Sequence, residues 1–273
     1  MLTQNKLMAY CMKNTNVLLP LFSVFLLLSG CMGMVPDVDQ EKLVEDAYSL
    51  QRLSVLQHAI KDPIIGFKAG LTSEAAQDAF NVDEPLVGAL FASGFSRNRS
   101  AYVLGNYHDL RMEVELGFLL NQAITKPITK EELPQYIRAV VPIVELPHFR
   151  FTRNDQMTAL TLITSNVASN QFIMGNTMPY DSEQIDQIKA TLTKNGVTIN
   201  QGKATDAMGS QKDTLVWMIN KLLEVGYTID KDHLLITGAL GTMLPAEKGQ
   251  YEAYFGTDQM KSYEQYLVSF SIR

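Results

Sequence analysis

The stretch RMEVELGFLL, from Arg111 to Leu120, has the clearest structural pattern in the sequence. Its even-numbered positions are all apolar and alternate with Arg111, Glu113 and Glu115, a period of two that predicts a β-strand. Side chains two residues apart point to the same face, so the two glutamates lie side by side, about 7 Å apart. Like charges this close are unfavourable unless water or a cation separates them. The strand therefore presents either a solvated face or a cation site.

A third acid bears on the same question. Glu145 follows the apolar run AVVPIV, where an isolated charge is costly to bury. Together with Glu113 and Glu115 it would form an oxygen-rich site of the kind that Mg²⁺ or Mn²⁺ prefers. Spacing alone favours the solvated face, so both interpretations stay open at this point. The four histidines show no spacing typical of a zinc site.

Two glycine-containing segments add candidate functional residues. Lys68 stands between Gly66 and Gly70 in GFKAGLTS, in an otherwise apolar strand. A lysine in this place is either an acid or base with a lowered pKa or a side chain that extends its amine to the surface. The segment GALG, 238–241, follows another apolar strand. Its backbone N–H groups either hold a carboxylate or belong to an ordinary turn.

Composition and charge narrow the class of protein. The chain has 273 residues, of which 46% are hydrophobic and 19% charged, as is typical of a globular protein. The net charge of −6 gives no electrostatic footprint for nucleic acid, so no nucleic-acid partner is expected. Many strands and few helices, without a regular βαβ alternation, predict an α+β fold with a large mixed or antiparallel sheet. No domain boundary is predicted within 41–273.

Four local patterns predict individual elements. An apolar helical period predicts a helix from Glu41 to about Lys61, which Asp-Pro ends. The segment Thr129–Val141 begins with a capping box and predicts a second helix. Alternating residues on both sides of Asn195-Gly196 predict a hairpin with a type I′ turn. An amphipathic helix is predicted from Asp213, with Gly226 as its C-cap.

The N-terminus differs from the rest of the chain. Two lysines precede the apolar run VLLPLFSVFLLL, 17–28, and small residues then lead to Cys31. This is the pattern of a cleaved signal segment, and twelve apolar residues are short for a membrane span. An ordinary secretory signal and a short anchor helix are the alternatives. The tetrapeptide LSGC, 28–31, resembles the lipobox of bacterial lipoproteins.

That resemblance implies a lipoprotein signal peptide over residues 1–30 and a lipidated tether over 31–40. The lipid on Cys31 would hold the protein to a membrane of the bacterial cell envelope, facing the periplasm or the exterior. Met32 after the cysteine favours the outer membrane over the inner one. Cys11 would leave with the signal, so no thiol would remain for a disulfide or a metal site.

Several motifs occur together in a characteristic order. They are GFKAGLTS (66–73), RMEVELGFLL (111–120), VVPIVEL (140–146), NVASNQFIMG (166–175) and TGALGTML (237–244). In this combination the chain resembles the 2-keto-4-pentenoate hydratase and 4-oxalocrotonate decarboxylase group of the fumarylacetoacetate hydrolase superfamily. The resemblance extends from about residue 45 to the C-terminus.

The resemblance implies an α+β fold, a fumarylacetoacetate-hydrolase-like β-roll of mixed sheets with a helical N-terminal segment, and a catalytic domain over 41–273. It also implies a lyase that acts on a 2-oxo or 2-hydroxydienoic acid through an enolate, with Mg²⁺ or Mn²⁺ as cofactor. Because relatives commonly self-associate, it further implies a homo-oligomer. Lys68 would move a proton between the enol and keto forms. The remaining site residues implied are the metal ligands Glu113, Glu115 and Glu145, and the substrate-binding residues Ser165, Asn166, Gly238, Ala239 and Leu240.

The sequence departs from the family at several acid–base positions. Ser93 stands where relatives have an acid paired with the lysine, and is therefore taken as the second catalytic candidate. Thr161 and Ser165 stand where relatives carry aspartates, and Ser210-Gln211 replaces a His-Pro pair. A serine cannot exchange a proton near pH 7 as an aspartate can. Two functions therefore stay open: the metal-dependent enzyme, and a catalytically degenerate lipoprotein that binds a small carboxylate or a partner.

Overall fold

Two β-sheets and four α-helices make up the regular structure in residues 39–150, 157–259 and 266–273, which a computed structural model describes. The helices are α1 (Gln40–Ala59), α2 (Glu74–Phe80), α3 (Ala159–Thr164) and α4 (Gln211–Glu224). The strands are β1 (Ile64–Gly70), β2 (Leu86–Phe91), β3 (Phe95–Arg97), β4 (Ser100–Tyr102), β5 (Arg111–Leu120), β6 (Ile137–Leu146), β7 (Gln171–Met174), β8 (Lys189–Lys194), β9 (Val197–Lys203), β10 (Leu234–Ala239), β11 (Leu244–Pro245), β12 (Gly249–Gly256) and β13 (Tyr266–Ile272).

The larger sheet has eight strands, and its two edge strands follow one another along the chain. Its order is β2-β1-β10-β5-β6-β7-β3, and β11 adds to β5. The two ends of this order, β2 and β3, are separated by only three residues along the chain, 92–94. The chain therefore connects the two edges of the sheet, and side chains of β2, β6, β7 and β10 meet in one buried cluster on its concave side. This curled sheet is called the barrel below. Pairs β1–β10 and β3–β7 are parallel and the others antiparallel, so the sheet is mixed, as the sequence predicts.

The interior of this barrel is apolar over much of its length. The residues that fill it are almost fully buried and come from β2, β6, β7 and β10; they are Leu90, Val141, Ile143, Phe172, Leu234 and Ile236. Gly117 on β5 leaves room for two of them, because a Cβ there would lie 2.9 Å from side-chain atoms of Ile143 and Leu234. The side chains of Glu113 and Glu115 belong to this same inward face.

The smaller sheet packs outside the barrel in the order β4-β13-β12-β8-β9. Its β8–β9 hairpin confirms the predicted turn, since Asn195 and Gly196 both have positive φ, 51° and 80°. Both central residues of a type I′ turn need this conformation, which asparagine and glycine tolerate best. Apolar side chains of both sheets and the helices form one large core outside the barrel interior.

Helix α1 confirms the predicted N-terminal helix and has two unlike faces. Its core face buries Ala47, Tyr48 and Val55, and also Gln51, whose amide donates to the carbonyls of Val87 and Ile163. Other apolar positions of the same helical period point away from the core. The exposed aliphatic side chains are Leu50, Leu53, Leu56 and Ile60.

The helix predicted over Thr129–Val141 is wrong. Only a short 3₁₀ turn, Leu133–Gln135, forms there, and β6 begins at Ile137. Pro134 and the β-branched run that follows favour an extended chain. Half of the capping box survives without a helix, because the Thr129 N–H donates to Glu132 at 3.0 Å.

Helix α4 begins two residues before the predicted start. The Asp186 carboxylate accepts hydrogen bonds from the Gln211 N–H at 2.7 Å and from the Ser210 hydroxyl at 3.0 Å, and so caps the helix from a distant segment. The C-terminal prediction fits, since Gly226 has φ of +85° directly after the cap residue Val225.

The predicted signal peptide, Cys31 and most of the tether lie outside the described residues. Within the described ranges, none of the helices combines the length and hydropathy that crossing a membrane requires. The lipid anchor and the cell-envelope location therefore stay predictions.

Candidate active site

The register between β5 and β6 brings the three glutamates together. Glu113 and Glu145 are Cα partners in this antiparallel pair, and Glu115 follows Glu113 on the same face. One carboxylate oxygen from each residue lies within 4.8 Å of the other two. Glu115 and Glu145 have no exposed surface. The E-x-E pair is therefore part of an enclosed cluster at one end of the barrel interior, and the solvated-face interpretation is wrong.

The electrostatics of the cluster follow from this enclosure. Burial, together with the Glu145 carboxylate, raises the pKa of Glu113 to about 7, although Lys68 opposes the shift. Burial and the other two acids raise the pKa of Glu115 well above its usual range. Three carboxylates this close cannot all stay ionised without a positive charge between them. The cluster therefore binds protons when no cation balances it.

Lys68 supplies one positive charge. Its side chain is 3% exposed, and Nζ donates to Glu145 Oε2 at 2.6 Å. Burial alone would lower the pKa of Lys68, but the carboxylates of Glu145, Glu113 and Glu115 raise it. The lysine does not extend its amine to the surface, so of the two alternatives the acid or base stays the prediction.

Two carboxylate oxygens lack partners, which tests the site for a metal ion. Glu115 Oε1 and Glu145 Oε1 are buried, and no described residue hydrogen-bonds to them. Leaving such atoms unpaired is costly, so a native site normally completes them. The donor set is entirely carboxylate oxygen, the chemistry that Mg²⁺ and Mn²⁺ select. The residues present therefore fit a hard divalent cation.

The GALG segment, 238–241, begins in the last two residues of β10 and turns directly after it, and it positions one of these acids. The Gly238 N–H donates to Glu115 Oε2 at 2.8 Å, and the Leu240 N–H donates to the Val114 carbonyl at 2.7 Å. Gly238 has φ of +97°, which glycine adopts easily. These two N–H groups thus hold oxygens of the protein itself, while Ala239 between them is the Cα partner of Glu115. The turn does hold a carboxylate, but that carboxylate is a metal-ligand candidate.

The predicted residues Ser165 and Asn166 lie beside the strands that carry Lys68. Gly88 is the Cα partner of Lys68, and a Cβ at Gly88 would lie 2.8 Å from the Asn166 carbonyl. The Asn166 side chain accepts from the Ala89 N–H at 2.7 Å and donates to the Ala89 carbonyl at 2.9 Å. The Ser165 hydroxyl donates to a carbonyl of α3. Both side chains make structural bonds here, next to the cluster.

Ser93 lies at the opposite end of the barrel from Lys68. In the β1–β2 pair Ile64 faces Phe91 and Lys68 faces Gly88, so Ser93 follows beyond the start of β1. Its hydroxyl donates to Asp62 Oδ2 at 2.5 Å. The structure therefore does not bring Ser93 to the lysine, and the acid that contacts Lys68 is Glu145.

Two residues at the site went unnoticed in the sequence. Thr72 is 5% exposed, and its Oγ1 would lie 2.2 Å from a Cβ on Gly238, so it packs against the turn that holds Glu115. Arg111 shares the inward face of β5 with Glu113, and Asp109 fixes its guanidinium with hydrogen bonds of 2.7 and 3.2 Å. The strand alternation contained the signal for Arg111, whereas Thr72 depends on a contact between distant segments.

Comparison with known proteins defines the class to which this fold and cluster belong. Residues 67–258 match the family described as fumarylacetoacetate (FAA) hydrolase C-terminal. The chain belongs to this family.

Named relatives narrow the class further. The 2-keto-4-pentenoate hydratase of Paraburkholderia xenovorans is 27% identical over 210 residues, which cover 76% of this chain and 77% of that protein. The 2-oxo-hept-4-ene-1,7-dioate hydratase of Escherichia coli is 29% identical over 218 residues, covering 77% and 81%. These relatives are hydratases, and they support a hydro-lyase-like enzyme.

Solved structures confirm the predicted fold. The 4-oxalocrotonate decarboxylase from Pseudomonas putida G7, complexed with magnesium and adipate, has a TM-score of 0.75 at 21% identity, covering 84% of this chain and 86% of that one. The fumarylpyruvate hydrolase from Pseudomonas aeruginosa, in complex with Mn²⁺ and pyruvate, has a TM-score of 0.54 at 12% identity, covering 76% and 88%. The chain has the α+β fold of this family, with mixed sheets and few helices.

Proposed function

We propose that the protein is a divalent-metal-dependent lyase that acts as a hydratase or decarboxylase on a 2-oxo or 2-hydroxydienoic acid through an enolate. The observation that carries the proposal is the enclosed cluster of three glutamates, two of them with unpartnered buried oxygens, in contact with a buried lysine. The hydratase names of the relatives support the reaction class.

Glu113, Glu115 and Glu145 would hold the ion, Mg²⁺ or Mn²⁺. When bound there, such an ion supplies Lewis-acid polarisation of the 2-oxygen of the substrate, which makes the protons on C3 more acidic. Three carboxylates exceed the charge of a dication, so the chain can keep the ion while substrate enters and leaves. Gly238 keeps Glu115 oriented through its N–H, which fixes one ligand before the ion arrives.

Lys68 would hold and move the proton. Lys68 would start as an ammonium group, as its contact with Glu145 favours. In the enol-to-keto direction Nζ gives its proton to carbon and becomes a neutral amine; in the reverse direction that amine takes a C3 proton and becomes the ammonium again. Glu145 contacts Nζ and favours its charged form, and so sets how readily the lysine gives up the proton. Water addition to the conjugated alkene is the step that the relatives' names favour.

The test is exchange of the C3 protons of simple 2-oxo acids with deuterium, followed by NMR. Exchange should require Mg²⁺ or Mn²⁺, stop with EDTA, and be lost in Glu113→Gln and Lys68→Met. Glu131→Gln and Lys248→Met change the same residue types at exposed positions and should leave exchange intact. Metal binding without exchange across a range of 2-oxo acids would reject the proposal.

The alternative of a catalytically degenerate binding lipoprotein finds no support among the similar proteins. The same experiment separates the two functions, because a metal-mediated binder keeps its carboxylate ligand when Lys68 is replaced, whereas the enzyme loses exchange.

A cell-envelope location belongs to the proposal as well. A lipid on Cys31 would tether the domain to a membrane, with the outer membrane favoured. Mass spectrometry of the mature N-terminus tests this directly, since an unmodified Cys31 rejects the anchor and leaves the chemistry of the site untouched.

A further inference from the structure

The GALG segment, 238–241, is held at its far end by the part of the chain that connects β9 to α4. Asp206 in this connection makes the contact with one carboxylate oxygen. Its Oδ2 accepts from the Gly241 N–H at 2.9 Å and from the Lys203 N–H at 2.8 Å, so a single atom joins the two segments. Hydrogen bonds to a carboxylate are roughly twice as strong as bonds between neutral groups.

Asn200 on β9 holds the same turn at two further points. Its side-chain amide donates to the Leu240 carbonyl at 3.2 Å, and its Oδ1 accepts from the Thr242 N–H at 3.1 Å. The backbones are in direct contact, because a Cβ on Gly202 would lie 2.2 Å from the Leu240 carbonyl carbon. Since β9 is an edge strand of the smaller sheet, these bonds connect the smaller sheet to the site in the larger one.

The near end of the GALG segment is held by the same part of the chain. Gln211, the first residue of α4, is fully buried. Its Oε1 accepts from the Thr237 hydroxyl at 2.6 Å, and its amide donates to the Ala204 carbonyl at 2.7 Å. Thr237 directly precedes Gly238, so the chain from β9 to α4 fixes the turn on both sides.

We infer that Asp206 is a positioning residue for Glu115 and acts through the GALG segment. The inference rests on the proposed function, in which Glu115 is a metal ligand. The Gly238 N–H donates to Glu115 Oε2 at 2.8 Å, and Gly241 lies three residues further along the same short turn, so a bond that fixes Gly241 also restricts Gly238. Among the described residues, the acids close enough to share an ion do not include Asp206, so it acts on the site from outside.

Mn²⁺ binding to the full chain tests the inference. Asp206→Ala should bind Mn²⁺ about tenfold more weakly in calorimetric titration, at the low end of the range for groups that orient metal ligands. Asp181→Ala is the matched control. Asp181 Oδ1 also accepts from two backbone N–H groups, those of Glu183 and Gln184 at 2.9 and 3.3 Å, and neither belongs to the GALG segment. This control should bind Mn²⁺ as the unsubstituted chain does.

Two further variants separate the bonds to the turn from the charge of Asp206. Asp206→Asn keeps a side-chain oxygen that accepts both N–H groups, and its Mn²⁺ affinity should stay within about twofold of the unsubstituted chain. Asn200→Ala removes only the neighbouring bonds and should weaken binding about threefold, the equivalent of one ordinary hydrogen bond. It also carries the test if Asp206→Ala does not fold.

Hydrogen exchange of the backbone amides adds a measurement that needs neither metal nor activity. In the metal-free protein, the Gly238 amide should exchange about fivefold faster in Asp206→Ala, because the turn opens more often when its far end is released. The same amide should exchange at the unsubstituted rate in Asp181→Ala.

The outcomes separate this inference from the proposed function. Equal Mn²⁺ affinity in Asp206→Ala and Asp181→Ala assigns Asp206 to the fold alone and rejects the inference. Weak binding that Asp206→Asn does not restore also overturns it, because the charge and not the turn would then act on the ion. If the unsubstituted chain binds Mn²⁺ but exchanges no C3 protons of 2-oxo acids, the proposed reaction fails while the variant affinities still decide the positioning role. Absence of Mn²⁺ binding rejects both.

Discussion

The outer face of α1 and the interior of the barrel depart from the usual pattern of burial in opposite directions. The helix leaves four aliphatic side chains largely in solvent, whereas the barrel encloses Lys68, Glu115 and Glu145. A buried charge needs an opposite charge, and an exposed apolar stripe needs a cover. Among the described residues, the three acids of the interior outnumber the one positive charge of Lys68, and the aliphatic side chains on the outer face of α1 stay exposed. Regions that depart from the usual pattern of buried apolar and exposed charged side chains therefore indicate where the molecule binds an ion, a ligand or another surface.

Removing the buried cation should have the largest effect on stability. Lys68→Met keeps the length of the side chain but leaves Glu145 buried without its ion pair. The expected loss is about 3–5 kcal/mol in the free energy of unfolding, measured by urea denaturation in EDTA. Saturating Mg²⁺ should reduce this loss, because the ion supplies the missing positive charge. An equal loss with and without Mg²⁺ would show that the cluster does not share its charge with a metal.

Removing one ligand should mainly affect the metal. In Glu115→Gln the side-chain carbonyl can still accept from the Gly238 N–H, so the turn is kept while one negative charge is lost. We expect Mn²⁺ to bind on the order of 100-fold more weakly in calorimetric titration, since ligand charge dominates affinity for a hard cation. The exposed control Glu131→Gln should bind Mn²⁺ normally. Unchanged binding in Glu115→Gln would remove this residue from the site.

The turn that orients this ligand can be tested separately. Gly238→Ala puts a Cβ 2.2 Å from Thr72 Oγ1 and forces alanine to a φ of +97°. The expected cost is about 1–3 kcal/mol in the free energy of unfolding, together with weaker Mn²⁺ binding. Gly105→Ala is the control, because a Cβ there meets nothing within 4 Å. A stable Gly238→Ala protein with normal Mn²⁺ affinity would show that the turn does not position Glu115.

The sequence predicted the interior better than it predicted the surface of α1. Strand alternation put Glu113 and Glu115 on one face, and the order of motifs joined Glu145 and Lys68 to them. The helical period also identified α1, but a period does not show which apolar positions reach the core. Leu50 and Leu53 contribute to that period as fully as Ala47 and Val55, and only the packed structure separates them.

Other features depended on contacts that a local pattern cannot contain. Ser93 aligned with a catalytic position, yet the strand register carries it to Asp62 at the far end of β1. The start of α4 depends on Asp186, 25 residues before Gln211. The false helix over Thr129–Val141 arose because a real hydrogen bond between Thr129 and Glu132 has the spacing of a capping box. In the first two cases a contact between distant segments decides the structure, and in the third a local hydrogen bond forms without the helix that it usually begins.

The acids of the interior should make stability depend on pH. Glu113 has a pKa of about 7 in the folded chain, above its ordinary value near 4.5. This raised pKa stabilises the metal-free fold fully below the ordinary value, and the contribution is lost as pH rises through about 7, by about 1.4 kcal/mol per pH unit. Mg²⁺ binds the deprotonated form, so the rise in Tm that it causes should grow from pH 5.5 to pH 8. Glu113→Gln should flatten that growth.

The smallest expected effect tests the comparison most directly, because it uses one substitution in both regions. Leu53→Ala on the outer face of α1 should change the free energy of unfolding by less than about 0.5 kcal/mol at protein concentrations where the chain is monomeric. Leu116→Ala on β5, a fully buried position, should cost about 2–5 kcal/mol through lost contacts and a cavity. A loss on the scale of Leu116→Ala would mean that this face of α1 is already covered by its own chain.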